Sequence, residues 1–110
     1  MNIRNITLAI SLLSTMPALA LAGGDPAQGQ QKSTVCQTCH GATGIAVQPI
    51  YPNLAGQHED YLVMTLKAFR DGSRANAIMS GFATGLSDND IEDISAWYAS
   101  QDGLTEIKDK

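Results

Sequence analysis

Both cysteines of the chain and one of its two histidines sit in ten residues, VCQTCHGATG, from Val35 to Gly44. A Cys-x-x-Cys pair serves as a redox dithiol, half of a zinc site, a small disulfide or a haem anchor, and each demands a different fold. A disulfide across two residues would close a tiny loop and staple nothing distant. The pair must therefore help a small fold through something other than a long-range cross-link.

How small that fold is follows from the N-terminus. Arg4 precedes two almost wholly apolar runs, Ile6 to Leu13 and Pro17 to Ala22. Broken by Ser11, Ser14, Thr15 and Pro17, they are too short to span a membrane, and Ala20-Leu21-Ala22 offers a small-x-small cleavage site. The pattern predicts a signal peptide over residues 1–22, cut after Ala22, and one mature domain over 23–110 that is exported to the periplasm and has no membrane span. A domain of this size buries a modest share of its surface, so a bound group is commonly needed to complete its core. After Ala22 eleven carboxylates face six lysines and arginines, a net charge of −5. Binding nucleic acid requires a basic patch, so nucleic acid is excluded as a partner.

The rest of the chain reads as all-α. Asp25-Pro26 is a helix start, with a capping side chain followed by a proline at the first helical position, and predicts a helix to about Cys36. Glu59 to Phe69 carries Leu62, Leu66 and Phe69 on one face, with Tyr61, Thr65 and Ala68 beside them. A third helix follows Ser87-Asp88-Asn89-Asp90, close to a capping box, with Ile91, Ile94 and Tyr98 or Trp97 turned inward. Residues 39–55 and 74–86 have no convincing period and read as loops, and the polar tail after Gln101 is expected to fray. A long loop in so small a domain is odd unless it wraps something.

What it wraps is set by the residue after the second thiol. Cys36-Gln37-Thr38-Cys39-His40 is the attachment signature of c-type haem. Two thiols on one turn can add across the two vinyl groups of a porphyrin, and the next residue then offers its imidazole to the iron. A redox dithiol would need a strand feeding the motif, a zinc site four well-spaced ligands, and an iron–sulfur cluster more cysteines. For the sixth position on the iron there are three candidates. Met64 points away from the apolar face of its helix, and His58 stands in a polar helix start. Met79 stands in an uncharged segment free to swing a thioether onto the metal, and is the expected distal ligand. Arg74, five residues before it, is either a partner for a haem propionate or a solvated surface arginine.

From Asp25 to Gln101 the chain resembles a class I c-type cytochrome, and within that family the small bacterial group that includes one half of the di-haem c-four cytochromes. The residues that carry the likeness are Cys36 to Gly41, Tyr51 to Gln57, Tyr61-Leu62, Ile78-Met79, Leu86 to Asp88 and Ala96 to Gln101. The resemblance implies a small fold of three main helices in which the first and last cross at Gly29 and Trp97, with loops wrapping one covalently bound haem c. It also implies that the Pro52 carbonyl accepts the second N–H of the His40 imidazole and that Leu54 packs on the porphyrin.

With protein ligands on both faces of the iron, the expected function is outer-sphere electron transfer at a positive potential, without catalysis. Expected partners are redox proteins such as a membrane quinol-oxidising complex, a terminal oxidase or a periplasmic reductase. Residues 41–57 and 75–87, which should frame the haem edge, contain no charged side chain. They predict an apolar docking rim. Two other readings stay open: a haem subunit fixed to a redox enzyme such as a flavoprotein dehydrogenase, and a ligand-binding or peroxidatic haem protein.

Overall fold

A computed structural model describes residues 23–104, and the expected signal peptide lies outside them. The described residues form five helices and no strand: α1 (Pro26–Lys32), α2 (Gln37–His40), α3 (Glu59–Asp71), α4 (Ala77–Ala83) and α5 (Asp88–Ala99). The three expected helices are α1, α3 and α5. None is long and apolar enough to cross a membrane.

Local chemistry sets the boundaries. The Asp25 carboxylate accepts the N–H groups of Ala27 and Gln28, with Pro26 at the first position. At the far end α1 stops at Lys32, short of the expected Cys36, because the Ser33 and Thr34 hydroxyls fold back onto the carbonyls of Gln30 (3.0 Å) and Gln31 (2.8 Å). Such side-chain bonds compete with helix propagation. The start of α5 is a full capping box between Ser87 and Asp90.

The segment 74–86, read as loop, contains α4. Its start is Asn76, whose side-chain oxygen accepts the Met79 N–H at 2.9 Å. No stripe toward the helical core announced it, since only Ala83 is buried and Ile78 and Phe82, at least half exposed, line a cavity instead. Of the tail after Gln101 only residues 102–104 are described, and the rest lies outside the described residues. Leu104 N–H donates to the Ala55 carbonyl at 2.9 Å, tying the chain down beyond Gln101.

Packing follows from two helix pairs. Leu62 of α3 meets Ile94 and Tyr98 of α5 in the centre, with Cys36, Leu54 and Leu66 against them. Of the two aromatic candidates on α5, Tyr98 is the core residue, and Trp97 lies half-buried toward α1. The α1–α5 crossing is at Gly29, where a Cβ would stand 1.8 Å from the Asp93 carbonyl oxygen and 2.9 Å from the Trp97 Cβ. Only a residue without a side chain lets the two helices meet.

The same crossing holds a polar lock. Asp93 is 4 % exposed and accepts the Asp25 N–H (2.8 Å), the Lys32 ammonium (2.6 Å) and the Asn89 amide (3.3 Å). The Lys32 bond, with the Asp25 N–H, holds its carboxyl below the usual range. A depressed carboxyl stabilises the fold above its unfolded value and loses that effect as acid protonates it in the native state. Asp93→Ala is therefore expected to cost about 2 kcal/mol at neutral pH, by stranding the Asp25 N–H and leaving Lys32 only its longer ion pair, to Asp90 at 3.1 Å. Urea midpoints against pH check it: the gap between variant and parent should close as the pH falls below about 3.9, the ordinary carboxylate value.

Candidate functional site

α2 is one turn long and presents the whole motif. The Cys36 carbonyl accepts the N–H groups of Cys39 (3.2 Å) and His40 (2.9 Å), so both thiols and the imidazole leave from one turn. Gly41 follows at φ +82°, a conformation open to glycine, and a Cβ there would stand 1.8 Å from the Ile45 carbonyl oxygen. The chain therefore reverses directly after the imidazole. It is held in that course by main-chain bonds: Leu54 and Ala55 N–H to the Gly44 carbonyl (2.8 and 3.0 Å), and Val47 N–H to the Cys39 carbonyl (3.1 Å).

That course brings the Pro52 carbonyl to 2.8 Å from His40 Nδ1. A carbonyl only accepts, so the proton is on Nδ1 and the lone pair on Nε2. The imidazole is buried, and this bond leaves the lone pair on its far nitrogen, the form in which a histidine can bind a metal.

A cavity of about 490 Å³ opens beside it, within the range that holds a cofactor. Every residue singled out for the site lines this cavity: Cys36 at the start of α2, Cys39 and His40 within it, Pro52 and Leu54 from the long loop, and Arg74 and Met79 from beyond α3. Leu62, Leu66 and Phe69 of α3 and Ile94 of α5 form much of the apolar wall. Among the three candidates for the sixth position, Met79 alone reaches the cavity. Met64 is 60 % exposed, and His58 caps α3 beside an open trough of about 1180 Å³ whose lining includes Glu59, Asp60, Lys67 and Asp71.

The electrostatics separate the motif from a redox dithiol. The two sulfurs are not joined to each other, and burial pushes the Cys36 thiol up. Redox dithiols need the opposite, a depressed pKa that keeps a thiolate ready. Arg74 is exposed but not without contacts: its guanidinium lies over the Phe69 ring at 5.0 Å, and beside Tyr61 it draws that phenol below its usual value. Sequence reasoning missed Ser95, which lines the cavity, is wholly buried and has a hydroxyl without a partner among the described residues. Thr65 on the same lining also has a buried hydroxyl without a partner among the described residues, and such hydroxyls fit a cavity shaped for a group the polypeptide does not supply.

Residues 26–102 match the family model described as Cytochrome c. The chain belongs to the cytochrome c family. Cytochrome c4 of Pseudomonas aeruginosa is 48% identical over 96 residues, which cover 86% of this chain and 48% of that protein. Cytochrome c-554(548) of Halomonas halodenitrificans is 50% identical over 82 residues, 72% of this chain and 99% of its own length. Among solved structures, reduced recombinant cytochrome c4 from Pseudomonas stutzeri superposes with a TM-score of 0.70 at 40% identity, covering 78% of this chain and 50% of that one. The chain thus spans about half the length of the cytochrome c4 relatives and nearly all of the shorter one. As a cytochrome c it carries covalently bound haem c, and the cavity with its paired thiols fits that group.

Proposed function

We propose that this protein is a periplasmic one-electron carrier, exported by a signal peptide over residues 1–22. The observation that carries the reading is the placement of His40 and Met79 on the walls of one apolar cavity whose rim bears the two thiols. Bound there, haem c supplies an iron(III)/iron(II) couple.

The residues divide the work. Cys36 and Cys39 tether the porphyrin, and His40 binds the iron through Nε2 while Pro52 fixes its tautomer and angle. Met79 would supply a second protein ligand to the iron, which would leave no site for substrate. A thioether favours the reduced metal, and the wall of Leu62, Leu66, Phe69 and Ile94 disfavours the additional charge of the oxidised one, which together give a positive potential. Leu54 packs on the ring, and Arg74, paired with Tyr61 at the cavity edge, is positioned for a propionate.

Electrons leave where partners can approach. Val35, Ile50, Ile78 and Phe82 line the cavity and are at least half exposed, between 50 % and 76 %, in a region whose flanking segments 41–57 and 75–87 carry no charge. Such a rim suits brief contacts with the apolar faces of redox proteins, whether quinol-oxidising complex, oxidase or reductase. The test is an equilibrium redox titration of the purified protein followed by electron-transfer rates against ionic strength. A single one-electron step at positive potential and a nearly flat salt dependence are expected. A steep, many-charge slope would refute the apolar docking face, and a negative potential would refute the carrier reading.

A further inference from the structure

α4 carries Met79, yet among the described residues it packs against α3 and no other helix. Its only buried residue is Ala83, and its large apolar side chains Ile78 and Phe82 are exposed. Apart from the cavity that Ile78, Met79 and Phe82 line, it has little apolar burial against the polypeptide itself. Polar contacts do the fastening. At its start Asn76 caps the Met79 N–H. Just past its end, Arg70 of α3 donates from Nη1 to the Leu86 carbonyl at 3.1 Å and from Nη2 to Asp88 Oδ1 at 2.6 Å.

We infer that Arg70 is a positioning residue whose guanidinium pins the exit of α4 and thereby sets how often Met79 leaves the iron. The inference rests on Met79 being the sixth ligand. Arg70 lies outside the cavity lining, so it acts through the backbone. A planar fork reaches both acceptors at once, which a single ammonium does not. Asp88 is largely exposed, with 65 % of its side chain accessible, so that ion pair contributes little on its own. The weight falls on the partly buried bond to the Leu86 carbonyl, the last residue before the α5 cap.

Displacement of Met79 by added imidazole in the ferric holoprotein measures the opening directly. At saturating imidazole the observed rate becomes the rate at which Met79 leaves. Arg70→Met, which keeps the stem and removes the fork, is expected to raise that rate about tenfold, the factor that one such hydrogen bond corresponds to. Arg70→Lys should fall between the two, and it supplies the reading if Arg70→Met does not load haem. Asp93→Ala, which weakens the fold at the far crossing, should leave the rate unchanged. Equal rates in Arg70→Met or Arg70→Lys and the parent would overturn the inference, as would equal acceleration by Asp93→Ala. Immediate imidazole binding by the parent, with no sulfur–iron absorption, would instead refute Met79 as the ligand and the inference with it.

Discussion

Met79→Ala is expected to abolish the weak long-wavelength absorption of ferric haem bound to sulfur and to lower the potential by a sum on the order of 0.2 V, within the ~0.8 V that axial ligands command. The variant should also bind imidazole or cyanide without delay, because the position opposite His40 is then open. Covalent haem and helical content should be retained, since Met79 is on α4, which contributes one buried alanine to the core. Visible spectra, a redox titration and ligand-binding kinetics check each part. An unchanged spectrum would remove Met79 from the iron and with it the case for a closed electron-transfer site, returning the protein to the ligand-binding class.

Gly29→Ala is expected to behave opposite to its helix propensity. Inside a helix, alanine in place of glycine normally adds about 1 kcal/mol of stability. Here the new methyl would stand 1.8 Å from the Asp93 carbonyl oxygen, with backbone rather than a flexible side chain in the way. α1 and α5 would have to separate, which also pulls Lys32 and the Asp25 N–H from Asp93. The expected cost is about 3 kcal/mol, at the upper end for overpacking, read as a lower urea midpoint. Gly81→Ala in α4 is the matched control, because nothing lies within 4 Å of a Cβ there. It should be neutral or mildly stabilising, and a Gly29→Ala variant that matched it would show that the crossing yields easily.

The contrast between these glycines shows what the chain discloses before it folds. Cys36, Cys39 and His40 are legible because the chemistry of attachment fixes their spacing, and α1, α3 and α5 are legible because caps and apolar stripes are local. Pro52, Leu54 and the Gly29 crossing came only through the family likeness, since each depends on a contact between distant segments. α4 was not legible: its apolar side chains Ile78, Met79 and Phe82 line the cavity and not the helical core, and seven residues are too few to show a period. Asp93 looked like one more acid in an acid-rich helix start, and its burial follows only from α1 lying across it. Ser95 gave no signal, because a buried unpaired hydroxyl has meaning only once the cavity beside it is known.

The loop from Gly41 to Ala55 is shaped by its backbone: the Gly44 and Cys39 carbonyls, the Gly41 reversal and an Asn53 side chain that takes the Ala46 N–H at 2.7 Å. Its outward side chains Ile45 and Val47 play no part in that bonding, do not line the cavity and are at least half exposed. Selection or design can therefore exchange them freely without moving Pro52 or His40. Recognition and redox tuning evolve as separable traits in such a chain, so one unchanged centre can be addressed to new acceptors by rewriting a few rim positions.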